Sequence, residues 1–437
     1  MDQNFNQENE IKTPEQIAPE SNSIVGENSP KGKKKKFNRS FKRGLLTGIL
    51  SSACVFVLIV GIFLSFFYHS ASEILSDATE EKLGLVYSVI QAYYYQDVDD
   101  DALADGIVKG LVEGLDDPYS VYYTKEEYEE FLVDATGSYA GIGAVLSKDA
   151  TTGVVTIANV YEGSPAEEAG LKKDDIIVTA DGYDATSEEL SAFVQHIRGE
   201  EGTDVELVIS RDGEEITVTC TRRAIQVPSV NYQMLNDANG DACIGYIQIT
   251  EFSEGTTDEF IAALEDLKSQ GMKAVIYDVR SNPGGMLSTV TEMLDYILPE
   301  GTTVYMLDNK GEKTEYTSDA ETYLDLPTVV LVNGQSASAS EIFSGAIRDF
   351  EYGTLIGTTT YGKGVVQNTF PFNDGSALKL TIASYYTPSG ECIQGTGITP
   401  NVELEFEYSG DENSDYDYYQ DNQVVKGIEV LSSLINE

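Results

Sequence analysis

Residues Thr328–Phe350 read TVVLVNGQSASASEIFSGAIRDF. The run Thr328–Val332 is apolar throughout, the pattern of a strand covered on both faces. Asn333-Gly334 then marks a turn. From Ala339 the apolar residues Ala339, Ile342, Phe343, Ala346, Ile347 and Phe350 fall at i, i+3, i+4, i+7, i+8 and i+11, which is one face of a helix. The same alternation extends to both sides. Strand patterns lie at Cys243–Ile249, Ala274–Val279 and Leu378–Ala383, and helical patterns at Thr257–Lys268 and Leu287–Leu298. Residues 226–405 are therefore expected to form an α/β domain with strands buried on both faces.

The flanks read differently. In residues 135–225 short β-rich runs, Val154–Ile157 and Val205–Ile209, alternate with Gly/Asp turns around one helix at Ser187–Arg198, the pattern of a compact mixed domain. Residues 71–134 predict helices: Leu103, Ile107, Leu111 and Leu115 recur every four residues. Asp116-Asp117-Pro118-Tyr119 then breaks the pattern, and a shorter helix starts at Glu126–Phe131. Residues 406–423 (FEYSGDENSDYDYYQDNQ) predict a solvated acidic loop. The closing segment to 437 predicts a helix docked by Val424, Val425, Ile428, Leu431, Leu434 and Ile435. Fold class is thus mixed α/β and multi-domain.

Charge narrows the function. The chain carries 28 Lys plus Arg against 73 Asp plus Glu, a net charge of −45, which excludes a nucleic-acid reader dependent on displacing counterions from phosphates. Two histidines leave little room for a His-rich metal site or a Ser-His-Asp triad. No internal repeat is visible. Residues 1–43 predict a disordered tail that ends in the basic run KGKKKKFNRSFKR (Lys31–Arg43). The uncharged segment Gly44–Tyr68 that follows is long enough to cross ~30 Å of hydrocarbon. Bases before the span and none near its far end orient the amino terminus inside. Residues 69–437 are expected outside the cytoplasm, on a single-pass anchor of the cell membrane. A cleaved signal peptide is the alternative, but the apolar run is long for one and no small-x-small cleavage site follows it. Cys54 falls in the span; Cys220, Cys243 and Cys392 permit at most one bridge and are expected to be small buried hydrophobes.

Two readings of Ser338 stand side by side. Ser338-x-x-Glu341 has capping-box form, so Ser338 can be only an N-cap. The same helix start offers free N–H groups and a positive dipole end to a developing oxyanion, which suits a nucleophile. A nucleophilic serine needs a base. His69 abuts the membrane and His196 lies on the helix of the middle domain, which leaves a lysine. Lys363 in Tyr361-Gly362-Lys363-Gly364-Val365-Val366-Gln367 qualifies if an apolar cleft lowers its pKa from ~10.4, and Gln367 can orient the amine; otherwise Lys363 is an ordinary surface lysine. Gly357–Lys363 imitates a phosphate loop, but Gly364 replaces the Ser/Thr that would hold Mg²⁺. In Asp278-Val279-Arg280-Ser281-Asn282-Pro283-Gly284-Gly285 the glycines either form a plain turn or aim an N–H into a cleft.

Together these segments resemble the carboxyl-terminal processing proteases, also called tail-specific proteases. The resemblance covers most of residues 75–437 and includes Val112–Ser120 (VEGLDDPYS), Asp278–Gly285, Asn333–Asp349, Tyr361–Gln367, Tyr386–Gly390 and Gln394–Pro400. It implies a PDZ domain set into a helical and α/β protease with a crotonase-like core. It further implies nucleophile Ser338, general base Lys363, orienting partner Gln367 and an oxyanion hole of Gly284 and Ala339 N–H groups, with neither metal nor organic cofactor. Tyr139-Ala140-Gly141-Ile142-Gly143 is similar to the PDZ loop that holds a peptide's terminal carboxylate, which implies protein substrates presented by their C-termini. The family often assembles through its N- and C-terminal helical parts, which implies a homodimer. Asn401 departs from the family, which often has aspartate there. The rival readings are an inert PDZ scaffold, which would leave the Ser338 hydroxyl unlabelled by serine-reactive probes, and acyl-CoA chemistry, which an extracytoplasmic location disfavours.

Overall fold

The computed structural model describes residues 76–411 and 414–436. The tail of residues 1–43 and the Gly44–Tyr68 span, with Cys54 and His69, lie outside the described residues; among those described, no helix is long and apolar enough to cross a membrane. Helix α1 (Asp77–Tyr93) belongs to a unit ending at Val98 and buries none of its residues.

The second unit starts at Asp99, whose side chain accepts from the Asp101 and Ala102 N–H groups and caps α2 (Asp100–Glu113). Of α2 only Val112 is buried; Ile107, Leu111 and Leu115 of the expected apolar stripe are exposed. Strand β1 (Val121–Tyr123) interrupts what the sequence predicts as purely helical. Helix α3 (Lys125–Thr136) follows, started by a Thr124/Glu127 capping box and ended by Gly137 at φ +64°.

Residues 138–226 build a six-stranded sheet and a two-stranded one. Their elements are β2 (Ser138–Gly141), β3 (Ala144–Lys148), β4 (Val155–Val160), α4 (Pro165–Glu168), β5 (Ile176–Ala180), β6 (Tyr183–Asp184), α5 (Leu190–Ile197), β7 (Asp204–Arg211), β8 (Glu214–Thr221) and β9 (Arg223–Gln226). The strand order is β3-β4-β5-β7-β8, with β6 on β5 and β2 paired to β9. Alternate residues Val155, Ile157, Val205, Leu207 and Ile209 point inward and pack under Phe193 of α5, as a pleated strand requires. Asp175 anchors one end: its carboxylate takes Arg211 Nε and Nη2, each at 2.6 Å, and the Lys172 N–H at 2.8 Å. The Arg211 hydrogen bonds hold its carboxyl below the ordinary range. A depressed pKa contributes stability that is complete above the unfolded value of ~3.9 and is lost as pH falls through the folded value. Asp175→Asn should therefore lower the unfolding free energy by about 2–3 kcal/mol at pH 7. Urea unfolding of both proteins should show that gap closing below pH 4.

The remainder forms two sheets. Its elements are β10 (Val230–Asn236), β11 (Ala242–Ile249), α6 (Thr256–Ser269), β12 (Ala274–Asp278), α7 (Leu287–Ile297), β13 (Gly301–Asp308), β14 (Lys313–Ser318), β15 (Thr328–Val332), α8 (Ala339–Asp349), β16 (Gly353–Gly357), β17 (Val365–Pro371), β18 (Ala377–Tyr386), β19 (Val402–Glu403) and α9 (Asn422–Ile435). The first sheet runs β10-β11-β12-β15-β16-β19, parallel except for β10. Every residue of β12 and β15 is buried. Tyr277, Val330 and Val332 face α6, α7 and α8, while Ile276, Val329 and Leu331 face Val424, Ile428 and Leu431 of α9. Two covered faces explain the uninterrupted apolar runs. The Leu378–Ala383 pattern is a correction: it belongs to β18 of the second, antiparallel sheet, whose path is β1-β18-β13-β14 with β17 on β18, and it is only half-buried. On α9, Leu434 is exposed and Gly427 takes the buried place. The acidic loop is corrected at Asp421, which is fully buried and 2.8 Å from Arg280. Cys220, Cys243 and Cys392 are free thiols; the first two are buried as expected, and Cys392 is exposed.

Candidate active site

Three loops leave the carboxyl ends of neighbouring parallel strands and meet in one place, where open α/β sheets form their crevices. They are Val279–Met286 after β12, Asn333–Ser338 after β15 and Thr358–Gly364 after β16. The first two are stitched together. The carbonyl of Asn282 accepts from the Ala337 N–H at 3.0 Å and from Ser340 Oγ at 2.9 Å, and the Val279 carbonyl accepts from Ser336 Oγ at 2.7 Å.

Ser338 stands where strand turns into helix, at φ +54°, ψ −113°. A side chain other than glycine held at positive φ is strained, and the surrounding contacts must pay for it. The reciprocal half of the capping box forms: the Ser338 N–H donates to Glu341 Oε2 at 2.9 Å, while the Glu341 N–H donates to the Ser338 carbonyl at 2.8 Å and the Ser338 side chain makes no cap bond. N-cap and candidate nucleophile are therefore the same residue. Glu341 does more than cap. It is fully buried, and its carboxylate also accepts from the Lys363 N–H at 2.9 Å, the Gly362 N–H at 2.8 Å and Thr360 Oγ1 at 2.5 Å. The Tyr385 hydroxyl, buried above them, donates to the Lys363 carbonyl at 2.7 Å and lies 3.1 Å from the Ser338 carbonyl. One carboxylate and one phenol thus fix the backbone of Ser338 relative to that of Lys363.

Both side chains open into one cleft of ≈ 640 Å³, walled by Tyr128, Phe131 and Leu132 of α3 and by Met286 and Leu287. Desolvation in that wall lowers the Lys363 pKa below the ordinary lysine value; the Lys379 charge adds to the effect, while Glu341 and Asp117 oppose it. No hydrogen bond joins Lys363 Nζ to Ser338; the ammonium sits 5.1 Å from the centroid of the Tyr119 ring. Gln367 lines the same cleft, but its amide donates to Thr381 Oγ1 at 3.2 Å rather than meeting the lysine.

Gly284, at φ +110°, packs directly against the serine. A Cβ there would stand 2.8 Å from Ser338 Cβ and 2.9 Å from the Ala339 nitrogen. Its N–H donates to Asn282 Oδ1 at 2.8 Å. The Ala339 N–H belongs to the first helical residue, one of those left without an intrahelical acceptor. In the smaller sheet, Tyr139, Ala140 and Gly141 lie on β2 paired to β9, and Ile142 and Gly143 bridge to β3. The Tyr139 ring lies 4.7 Å beneath the Arg198 guanidinium, whose Nε is buried without a hydrogen-bond partner. His196 stacks on Tyr183 at 3.8 Å and pairs with Glu188, away from the cleft. Among the described residues no cluster of His, Cys, Asp or Glu has the form of a metal site.

A helix-start serine and a desolvated lysine on one cleft are parts that a serine hydrolase would need, and sequence comparisons give the class and its particular branch. Residues 243–404 match peptidase family S41, residues 138–221 the PDZ domain, and residues 68–127 the N-terminal domain of the activating protease CtpB. The chain is 38% identical over 364 residues to the carboxy-terminal processing protease CtpA of Bacillus subtilis, spanning 83% of this chain and 76% of that protein. To a probable CtpA-like serine protease of Staphylococcus saprophyticus it is 35% identical, over 88% and 78% of the two chains. Among solved structures, the photosystem II D1 C-terminal processing protease aligns at TM-score 0.45 and 28% identity, covering 73% of this chain and 86% of that one. The chain belongs to the carboxy-terminal processing proteases of peptidase family S41, and is a serine peptidase with a PDZ domain.

Sequence reasoning missed Glu341 beyond its capping bond, and it missed Tyr385, Asn282 and Lys379 altogether. The capping box was the one signal for Glu341, since it accounts for one of four hydrogen bonds. Nothing in the local pattern around Tyr385 reports a contact 47 residues distant.

Proposed function

We propose that this chain is a membrane-anchored, extracytoplasmic endopeptidase that receives protein C-termini on its PDZ domain and cuts with a Ser338/Lys363 dyad. The observation that carries the reading is the Glu341 carboxylate, which accepts from the N–H of both residues and sets the strained serine and the desolvated lysine on one cleft. Ser338 Oγ attacks the substrate carbonyl carbon while its proton passes to the neutral Lys363 amine. The oxyanion meets the Ala339 N–H and the Gly284 N–H, the latter exchanging Asn282 Oδ1 for substrate; each donor is worth about 2.7–4 kcal/mol. Collapse breaks the C–N bond, Lys363 returns the proton to the leaving amine, and water activated by the same amine hydrolyses the acyl ester on Ser338. Gln367 orients the amine once it turns toward Ser338.

Tyr139 to Gly143 supply the edge and loop on which an extended peptide adds as a strand and its carboxylate is held. Residues 44–68, uncharged and preceded by Lys31–Arg43, anchor the chain with its catalytic part outside. Ser338→Ala and Lys363→Ala should each abolish cleavage of a peptide substrate, by 10³-fold or more, while peptide binding to the PDZ domain persists. Serine-reactive probes should label Ser338 in wild type. Turnover by Lys363→Ala at neutral pH would remove the lysine as base. Mass-spectrometric comparison of exported-protein C-termini between wild-type and Ser338→Ala cells identifies the substrates.

A further inference from the structure

The VEGLDDPYS motif is unused by the chemistry above, yet the structure brings its end to the cleft. Asp117 Oδ1 accepts from the Tyr119 N–H at 3.1 Å and Oδ2 from Ser120 Oγ at 2.5 Å, closing a turn. Ser120 Oγ in turn accepts from the Thr381 N–H of β18 at 3.0 Å, and β1, which begins at the next residue, pairs Val121 with Lys379. The turn is thereby fastened to the strand beneath the cleft, with the Tyr119 ring face presented to Lys363 Nζ at 5.1 Å, within cation–π range. We propose that Tyr119 is a positioning residue for the base: its ring holds the Lys363 ammonium away from Ser338, and the amine reaches the serine only when that contact is released. The proposal rests on the reading of Lys363 as the general base.

A π face attracts an ammonium and not a neutral amine, so the contact withholds the base and favours its protonated form together. The other charged or titratable groups facing the lysine are Lys379 from β18, Glu341 from α8 and Asp117 from the turn itself. Tyr385 holds the Lys363 carbonyl, and the Tyr119 hydroxyl meets Tyr361 and Gln394. Tyr119→Leu removes the ring face together with the hydroxyl's contacts to Tyr361 and Gln394, whereas Tyr119→Phe removes those contacts alone, so the pair of variants isolates the ring face. The sign follows: losing a contact that favours the ammonium lowers the Lys363 pKa and raises the share of neutral amine at a given pH.

The full chain carrying Tyr119→Leu should show the acid limb of its kcat/KM profile moved down by about 0.5 pH unit or more, hence about threefold faster cleavage on that limb. Tyr119→Phe keeps the ring face and should keep the wild-type profile. A Tyr119→Phe variant with a fluorinated ring retains size and shape but weakens the negative face, and should repeat the shift even if Tyr119→Leu folds poorly. Acylation of Lys363 by acetic anhydride across pH, quantified by peptide mass spectrometry, reads the amine's pKa without requiring turnover. An unchanged labelling pKa in the Leu and fluorinated variants overturns the proposal. A lowered labelling pKa with an unmoved rate profile upholds the contact and instead removes Lys363 as the base.

Discussion

Glu341→Gln is expected to cut kcat by about 100-fold or more and to lower the unfolding free energy by about 2–4 kcal/mol. The carboxylate accepts four hydrogen bonds and donates none: Ser338 N–H and Lys363 N–H on Oε2, Gly362 N–H and Thr360 Oγ1 on Oε1. A carboxamide has one oxygen. Whichever way it is turned, its NH₂ faces at least one N–H donor in a site closed to water, and an unpaired buried donor costs about 1–3 kcal/mol. The remaining bonds lose their charge assistance as well. An activity loss comes on top of the stability loss because the donors released belong to the two residues of the proposed dyad, and 1 Å of misplacement can cost 100-fold. Glu341→Asp keeps the charge but not the reach and should fall between. Urea unfolding with single-turnover kinetics on a peptide ester separates the two effects, and PDZ peptide affinity should remain at the wild-type value. A Gln variant as active as wild type would show that Glu341 only caps its helix.

The contrast between what the sequence exposes and what it hides follows from interaction range. Periodicity located β15 and α8 to within a residue, because burial on two faces or on one stripe is written at spacings of one to four residues. It misassigned Leu378–Ala383, because an apolar run does not say which sheet it joins; β18 pairs with β1, β13 and β17 through contacts as distant as Lys379 to Val121. It read Asp421 as solvated from the acidity of its neighbours. Yet Arg280, on the loop that carries Gly284, reaches across to it with Asp278, and the Tyr416 hydroxyl donates to it at 2.5 Å. A buried acid among exposed ones differs only in its partner, and that partner lies 141 positions away. Ser338, Lys363 and Gly284 were legible from glycine turns and a helix start. Glu341, Tyr385 and Asn282 were not, because their work is to bond backbone atoms from other segments.

Gly284→Ala should reduce kcat by 10²–10³-fold while leaving most of the fold intact. The glycine sits at φ +110°, where an L side chain is strained by about 1–3 kcal/mol. Strain alone is not the argument. The new methyl would stand 2.7 Å from the Ala337 carbonyl oxygen, 2.8 Å from Ser338 Cβ and 2.9 Å from the Ala339 nitrogen. Those atoms are backbone, or one bond from it, so they cannot swing aside as the tip of a flexible side chain would. The loop at 282–285 must retreat from the turn that presents Ser338, and the N–H assigned to the oxyanion retreats with it, a loss worth about 2.7–4 kcal/mol in the transition state. Gly271→Ala isolates the strain: that residue also has positive φ, at +94°, but nothing lies within 4 Å of the added methyl. It should lose about 1 kcal/mol of stability and keep wild-type kcat. Because the oxyanion exists only in the transition state, the Gly284 variant should lower kcat and kcat/KM together with KM unchanged. A rise in KM at constant kcat would instead assign the glycine to substrate binding and leave the oxyanion to other donors.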